Sequence, residues 1–181
     1  MHKPYGFLSM FIYNGKRKKK VLGDLYDFVE GTMAIGRLDE KSEGLLLLTT
    51  DGMVSHEVRS KKVEKEYYVQ LDGVITDEAI KQLQQGVEIG VDGEKYLTLP
   101  CNAHKIENPN IPQIQRIRDD RHGLTSWASI TVTEGKFRQV RKMGAAVGFP
   151  VLRLIRIRIG KIHLNQLKAG EVLEIKTITK F

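Results

Sequence analysis

An aspartate at position 39 stands in a polar loop that joins two apolar segments and is bounded by Gly36 and Gly44. Loops held between rigid strands are where proteins usually display reactive groups. The Asp39 carboxylate could serve as a nucleophile or as a general acid or base, and a nearby arginine would favour its charged form. The alternative is an aspartate that only caps a turn by accepting hydrogen bonds from backbone N–H groups. The residue types alone favour this second role, because Asp in a polar loop is common.

Two adjacent tyrosines, Tyr67 and Tyr68, are the second candidate. Side chains alternate between the two faces of a strand, so one ring could enter the core and the other a cleft, where it could stack on a base. Ordinary packing of aromatic side chains in a strand is the alternative, and the residues alone favour it.

A basic cluster between residues 136 and 143 is the third candidate. Arg138, Arg141 and Lys142 would share one arc of a helix, an arrangement suited either to phosphate contacts or to a solvated helix face. Residues 134–181 hold 11 basic and three acidic side chains, which gives +8, so the other residues carry −1 of the total of +7. Such an uneven charge favours a polyanionic partner such as RNA over a face that is basic only for solubility.

The composition and the remaining motifs exclude several classes of protein. With 181 residues, 41% of them hydrophobic, the chain can form one ordinary domain or two small lobes. It contains no apolar run of the roughly 18 residues that a membrane span needs. Cys101, the single cysteine, cannot form an internal disulfide, and the chain start lacks a signal core, so we expect a soluble cytoplasmic protein. The five histidines lack metal-ligand spacing and no nucleotide-binding motif is present, so we expect no metal and no cofactor.

The loop that carries Asp39 must be held by helices or strands on both sides. The spacing of apolar residues predicts a helix that ends at Gly31, and residues 33–36 and 44–49 are predicted as short buried strands that flank the loop. A short helix with Val54 and Val58 facing inward follows. The charged stretch 60–65 is the predicted hinge between two lobes. The apolar residues that predict the first helix are Leu22, Leu25, Phe28 and Val29.

The second and third candidates lie on the elements after this hinge. The patterns predict a strand through Tyr67, Val69 and Leu71, followed by a helix from Thr76 to Gly86 and a hairpin at Asp92-Gly93. They then predict a strand over 124–132 and a helix over 136–147. A final strand is predicted through Ile155, Ile157 and Ile159. In that final strand the isoleucines would be buried, and Arg156 and Arg158 would face the other way. The expected fold class is α+β with a mixed, mostly antiparallel sheet.

Taken together, the three clusters resemble the pseudouridine synthases that act on ribosomal RNA, in the branch that contains the small-subunit enzyme A and the large-subunit enzymes B, E and F. The resemblance covers nearly the whole chain. The stretches that carry it are Lys3-Pro4-Tyr5-Gly6, Gly36-Arg37-Leu38-Asp39, Gly44 to Thr49 with Asp51-Gly52, Lys65-Glu66-Tyr67, Gln139-Val140-Arg141 and Leu154 to Gly160. Phe137-Arg138 stands where most members carry a His before the Gln, which favours the E group of large-subunit enzymes.

The resemblance implies a single catalytic domain over residues 1–181, with the pseudouridine synthase fold. Two lobes, about 1–62 and 63–181, would flank an active-site cleft. No N-terminal S4-type RNA-binding domain is expected, which would leave target selection to the catalytic domain. The implied reaction is the isomerisation of a specific uridine in ribosomal RNA, most simply 23S, to pseudouridine by a cytoplasmic monomer that needs no cofactor.

The resemblance also assigns roles to individual residues. Asp39 is similar to the essential carboxylate of the family, Arg141 to the basic residue paired with it, and Tyr67 to the tyrosine that stacks on the uracil. Arg37 is similar to the arginine that occupies the space of the displaced nucleotide or grips its phosphate. The expected phosphate contacts are Lys136, Arg138, Lys142, Arg156 and Arg158.

Two other functions compete with this hypothesis. A basic RNA-binding module without catalytic activity would explain the charge distribution equally well, although it would not need Asp39, Tyr67 and Arg141 together. A glycosidase that works without a cofactor would need a second carboxylate across the substrate, and Glu40 and Glu43 lie in the same loop as Asp39. The glycosidase is therefore the weakest of the three hypotheses.

Overall fold

The computed structural model describes residues 1–60, 63–107, 109–112 and 123–175. The chain folds as two compact units, of which unit 1 comprises Met1–Val63 and Ile155–Phe181, and unit 2 comprises Glu64–Leu154. The boundary at Val63 falls in the predicted hinge, although residues 61 and 62 lie outside the described part. Residues 155–175 belong to unit 1, so the two units differ from the predicted lobes 1–62 and 63–181.

Short strands prevail in the first unit and longer strands in the second. The helices are α1 (Gly52–Ser60), α2 (Asp77–Gln85) and α3 (Gln139–Ala146). The strands are β1 (His2–Lys3), β2 (Phe7–Leu8), β3 (Lys20–Val21), β4 (Met33–Ala34), β5 (Glu43–Leu45), β6 (Leu48–Thr49), β7 (Lys65–Asp72), β8 (Glu88–Val91), β9 (Glu94–Leu97), β10 (Asn102–Ile106), β11 (Thr125–Val132), β12 (Val151–Ile159) and β13 (Ile162–His163).

In unit 1, strand β5 is the central strand beside the candidate loop. It pairs antiparallel with β1 and parallel with the second half of β12. Strand β4 pairs antiparallel with β6, and the loop that carries Asp39 joins β4 to β5. Leu45 and Leu47 are buried in one apolar cluster, and Leu46 is buried in another. The apolar run after the loop is therefore buried on both faces of the chain, which anchors the C-terminal end of the loop.

The predicted helix over residues 22–31 is wrong. Only Leu22–Asp24 forms a single 3-10 turn, and Val29, which the helical spacing placed inside, is 75% exposed. Phe28 is packed edge-on against Phe11, with the ring centroids 5.1 Å apart. This segment buries its apolar residues against a distant part of the chain, which hydrophobic spacing alone cannot predict.

Unit 2 contains part of the main sheet, the two-stranded sheet of β8 and β9, and helices α2 and α3, and the pairs β7–β11 and β10–β11 are antiparallel. The strand order in this part of the main sheet is β12, β7, β11 and β10, where β12 contributes its first half. Residues of the sheet and of α2 and α3 share one apolar core, in which Val69, Leu71 and Met143 are fully buried. Thr76 caps α2 by accepting a hydrogen bond from the Ala79 N–H at 3.1 Å, as predicted.

These elements confirm the α+β class with a mixed, mostly antiparallel sheet. The predicted hairpin is the pair β8 and β9, whose turn residues Asp92 and Gly93 both have positive φ. None of the helices in the described ranges is long and apolar enough to cross a membrane.

Candidate active site

Gly44 fixes the C-terminal end of the loop that carries Asp39. Its φ is +104°, a left-handed value that glycine adopts readily, and its register partners are Lys3 on β1 and Arg156 on β12. A Cβ at this position would collide with the backbone of Arg156. The glycine of the motif is therefore required by close packing of three strands in unit 1.

Ser9 holds the residue that precedes Asp39. The Ser9 hydroxyl accepts a hydrogen bond from the Leu38 N–H at 3.0 Å and donates one to the Leu38 carbonyl at 2.8 Å. The Asp39 carbonyl in turn accepts a hydrogen bond from the Ser42 N–H at 3.0 Å. Both ends of the short segment around Asp39 are thus held, while the Asp39 side chain remains partly exposed.

Glu40, the residue after Asp39, has two further anchors. The Gly6 N–H donates to its carbonyl at 2.7 Å, and the Lys19 ammonium contacts both of its carboxylate oxygens at 2.9 and 3.0 Å. Glu40 is therefore engaged with the N-terminal segment. This arrangement gives Glu40 a structural role in the loop.

Three charged residues are buried beside this loop. Lys3 and its neighbours Glu43 and Arg156 are all at most 4% exposed. Burial lowers the pKa of Lys3 from 10.5 to about 8, against the opposing effect of the carboxylates of Glu43, Asp39 and Glu40. The Lys3 ammonium donates to the Pro4 carbonyl at 2.9 Å.

The structure corrects the expectation that Arg156 faces solvent to bind phosphate. Its Nε donates to the Leu45 carbonyl at 2.7 Å within unit 1. Arg158, the other arginine predicted on this strand, is partly exposed, and its Nη1 donates to the Gly160 carbonyl at 2.9 Å. Arg156 is therefore buried and hydrogen-bonded to the backbone, and the phosphate contact of Arg158 stays a prediction.

Tyr67 lies on β7 opposite Ile130 of β11 and packs against the apolar core of unit 2. It is partly exposed, as is Tyr68. Burial raises the pKa of Tyr68, and the Glu66 carboxylate adds to this effect. Tyr67 therefore packs against the core of unit 2 while part of the residue remains exposed.

A hydrogen-bonded network organises the start of α3. The Glu134 carboxylate accepts hydrogen bonds from the Tyr96 hydroxyl at 2.6 Å, the Leu99 N–H at 2.9 Å and the amide of buried Gln139 at 2.6 Å. The Gln139 side-chain carbonyl accepts from the Lys136 N–H at 3.0 Å. The glutamine of the sequence motif therefore serves to fix the turn before the helix.

Helix α3 begins three residues later than predicted. Arg138 lies directly before the first turn of α3. Its φ is +54°, a left-handed value, so the helix does not extend to this residue or to those before it. Arg141 follows within the first turn and is partly buried, and its Nη1 donates to the Val151 carbonyl at 3.0 Å. This bond orients the guanidinium toward the start of β12.

The remaining predicted phosphate contacts of unit 2 lie around the same turn. Lys136 and Arg138 are exposed, and the Lys136 ammonium lies 4.6 Å from the centroid of the Tyr96 ring. Lys142 is partly exposed and donates to the Gly90 carbonyl at 2.6 Å. These three cations therefore share one end of α3 with Arg141.

The predicted site residues divide between the units. Unit 1 holds Asp39 and exposed Arg37 in one loop, together with Arg158, whereas unit 2 holds Tyr67 and the cations of α3. The described residues include no group of three His, Cys, Asp or Glu side chains that could hold a metal ion.

Sequence reasoning missed the supporting residues Ser9 and Glu134. An isolated serine in an apolar stretch gives no signal. Glu134 was recognisable as the one acid in the basic stretch from 134 to 161.

Comparison with known proteins adds independent evidence. A family model described as RNA pseudouridylate synthase matches residues 1–146. The ribosomal large subunit pseudouridine synthase E of Vibrio parahaemolyticus is 40% identical over 178 residues, which cover 97% of this chain and 72% of the relative. The enzyme of the same name from Xanthomonas campestris is 37% identical over 175 residues, covering 94% and 91%. The ribosomal large subunit pseudouridine synthase B of Yersinia pestis is 37% identical over 134 residues, covering 73% and 37%.

A solved structure agrees with these matches. The protein described as "Crystal structure of pseudouridylate synthase" superposes with a TM-score of 0.73 at 29% identity, over 94% of this chain and 66% of that chain. The predicted resemblance and the pseudouridine synthase fold are confirmed, and the alternative of a non-catalytic RNA-binding module is not favoured. The chain belongs to the RNA pseudouridylate synthase family, and is an enzyme that isomerises uridine to pseudouridine.

Proposed function

We propose that the substrate of this enzyme is a specific uridine of 23S ribosomal RNA, and that Asp39, Tyr67 and Arg141 act on it. The names of the curated relatives, all large-subunit enzymes, support the choice of RNA. Reaction on ribosomal RNA also supports a cytoplasmic location. We infer that the chain acts as a monomer without a metal.

The anchored Asp39 is the single observation that carries the proposal for the chemistry. The backbone on both sides of it is hydrogen-bonded, yet its side chain is partly exposed. A nucleophile or base gains rate when it is held in the reactive geometry before the substrate arrives. In the proposed reaction Asp39 either attacks the ribose or acts as the base that starts elimination there.

The atoms of the reaction balance within the nucleotide. The N1–C1′ bond of uridine breaks, the uracil rotates, and C5 bonds to C1′, while the proton on C5 is removed and N1 gains one. Tyr67 would stack on the uracil, and its hydroxyl would assist removal of the C5 proton. Arg141 would supply positive charge that stabilises the anionic groups of the reaction. Because the substrate and product are isomers, the reaction consumes no co-reactant.

The target base must leave its stack to reach these groups, at a cost of a few kcal/mol. Phosphate contacts offset such a cost. The exposed or partly exposed cations proposed for this role are Arg37, Lys136, Arg138, Lys142 and Arg158. Arg156 is left out because it is buried.

The test is to incubate the purified chain with unmodified 23S and 16S transcripts and to map pseudouridine at nucleotide resolution. We expect one modified uridine in 23S RNA and none with Asp39→Asn. The same uridine should lose its modification in cells that lack the gene. Modification of 16S RNA alone would overturn the proposed substrate, and an active Asp39→Asn enzyme would overturn the proposed chemistry.

A further inference from the structure

An exposed aromatic ring precedes helix α3. Phe137 is 60% exposed, although exposure of a large apolar side chain to water is unfavourable. The Lys142 ammonium lies over this ring, 5.4 Å from its centroid, and also donates to the Gly90 carbonyl. The ring is therefore held from one face while most of the residue stays accessible.

The turn that carries Phe137 is rigid and positively charged. The exposed cations Lys136 and Arg138 flank the ring in sequence, and Gln139 fixes the turn through Glu134 and the Lys136 N–H. Arg138 adopts a left-handed φ of +54°, a conformation that persists in a non-glycine residue only when its surroundings hold it. The backbone on both sides of the ring is thus held.

An aromatic ring among cations has the chemistry of a site for unpaired RNA. The cations attract phosphates, and the flat ring offers a surface on which any base can stack. Other exposed apolar residues in the described part of unit 2 lack this combination. Leu124, for example, is 71% exposed but is neither aromatic nor part of a basic turn.

We propose that Phe137 stacks on an unpaired base of the RNA substrate other than the uridine that the enzyme modifies. This assignment rests on the proposed RNA substrate and adds a contact that reads an unpaired nucleotide. Tyr67 has a separate role on the target uracil, because it lies on strand β7 against the core of unit 2. Phe137 would thus help to choose an RNA site with a second base free to stack.

The first experiment compares Phe137→Ala, Phe137→Tyr and the control Leu124→Ala in the full chain. Loss of one stacked base weakens binding by roughly 5- to 100-fold. We expect Phe137→Ala to raise the Kd for the substrate RNA by about tenfold, and Phe137→Tyr and Leu124→Ala to bind as wild type. Because Phe137→Ala removes no charge, its log Kd should keep the wild-type dependence on log salt, whereas Lys142→Gln should lower that slope by about 1.

A second experiment reports stacking directly. Phe137→Trp is placed in a Trp127→Phe background, so that the introduced indole is the one tryptophan of the chain. Stacking on a base should quench its fluorescence when the substrate RNA binds. An unchanged emission at saturating RNA, or a Phe137→Ala enzyme with wild-type Kd, would overturn the proposal.

Two outcomes separate this proposal from the proposed function. If wild type modifies 23S RNA and Phe137→Ala binds and reacts equally well, the stacking role is wrong and the proposed function stands. If the Phe137→Trp, Trp127→Phe enzyme is quenched by an RNA other than 23S, and wild type modifies that RNA, the stacking role stands and the proposed substrate fails. A Phe137→Ala variant that changes only the oligomeric state would show that the ring contacts protein, which would also overturn stacking.

Discussion

The Asp39 carboxylate carries the proposed chemistry, and removal of its charge is the most direct test at the scale of a residue. Asp39→Asn keeps the size of the side chain and removes no core volume, so we expect the free energy of unfolding to change by less than about 1 kcal/mol. The turnover number should fall by roughly a thousandfold or more. Single-turnover assays with saturating RNA measure this loss, and denaturant titration measures stability.

Asp27→Asn is the matched control for this variant. Asp27 is an exposed aspartate in unit 1 outside the candidate loop. This control should keep full activity, since it makes the same chemical change at a different site. Retention of half the wild-type rate by a folded Asp39→Asn enzyme would remove Asp39 from the mechanism.

Buried Lys3 predicts a specific dependence of stability on pH. Burial lowers its pKa to about 8 in the folded chain, against 10.5 ordinarily. Between these two pH values the unfolded chain holds the proton and the folded chain does not, so the contribution of Lys3 to the free energy of unfolding rises with pH. The rise can reach about 3 kcal/mol, at 1.36 kcal/mol for each pH unit of the shift.

Lys3→Met should remove this rise. Unfolding is followed by denaturant titration at pH 8, 9 and 10.5, and the result is the difference between wild type and variant. Burial also raises the pKa of Cys101 from 9.0 to about 11, which lowers stability over part of this range. That effect is common to both proteins and cancels. A difference that stays constant with pH would show that Lys3 is not the titrating group.

The reactive groups stay a prediction, whereas the surroundings of several predicted site residues can be compared with the structure. Asp39, Tyr67 and Arg141 were identified from a family resemblance, because short motifs preserve residue type and order. The burial of Lys3 and Arg156 was not predicted, since each lies on a strand whose neighbours come from distant parts of the chain. Alternation along β12 predicted that Arg156 faces away from the isoleucines, but it could not show that this second face is covered as well.

At the scale of an element, the loop between β4 and β5 depends on Ser9. Ser9→Ala leaves the Leu38 N–H and carbonyl without the hydroxyl that now serves both. We expect a loss of about 1 kcal/mol in stability and a fall in kcat of roughly tenfold, because Asp39 would lose its fixed position. KM should stay near wild type, since Ser9 holds the loop and makes no proposed contact with RNA.

Ser9→Thr distinguishes positioning from a general loss of packing, because it restores the hydroxyl with one extra methyl group. It should recover most of kcat. Equal rates for the alanine variant and wild type, or no recovery by threonine while both variants remain folded, would show that the hydroxyl does not position Asp39.

Helices and strands were predicted correctly where the residues that determine them lie within the same stretch of sequence. Helix α2 was predicted because its cap, Thr76, and its end, Gly86, lie in the same stretch of sequence. Strand β7 was predicted from alternation, and Val69 and Leu71 are its buried residues. The helix predicted after Leu22 was wrong because Phe28 of this segment packs against Phe11, which lies earlier in the chain. No local sequence pattern reports such a contact.

At the scale of the whole molecule, the uneven charge indicated RNA but overstated the exposed positive surface. Eight basic side chains lie between residues 134 and 161. Arg153 and Arg156 are buried, and each donates to a backbone carbonyl within its own unit. A sequence sum counts such residues as surface charge, whereas only exposed cations can displace counterions from RNA.

The salt dependence of RNA binding tests which of the exposed cations contact phosphates of the RNA. Arg138, Lys142 and Arg158 are exposed or partly exposed, and their joint replacement by Gln should weaken binding to every RNA tested. The slope of log Kd against log salt should fall by about 2, at roughly 0.7 to 0.9 for each phosphate that the variant no longer neutralises. Turnover at saturating RNA should change far less, because these residues are proposed to bind phosphates and not the reacting base.

A second triple variant controls for the loss of net charge. Lys81, Lys95 and Lys105 lie in unit 2, and the last two pair with Glu88 and Asp77 at 2.9 and 2.8 Å. Their replacement by Gln lowers the net charge by the same three units but should leave the salt slope near wild type. If the two triple variants flatten the slope equally, RNA binding follows total charge. If only the first one does, the cations of α3 and β12 contact phosphate, and the positive charge near the C-terminus is a binding surface.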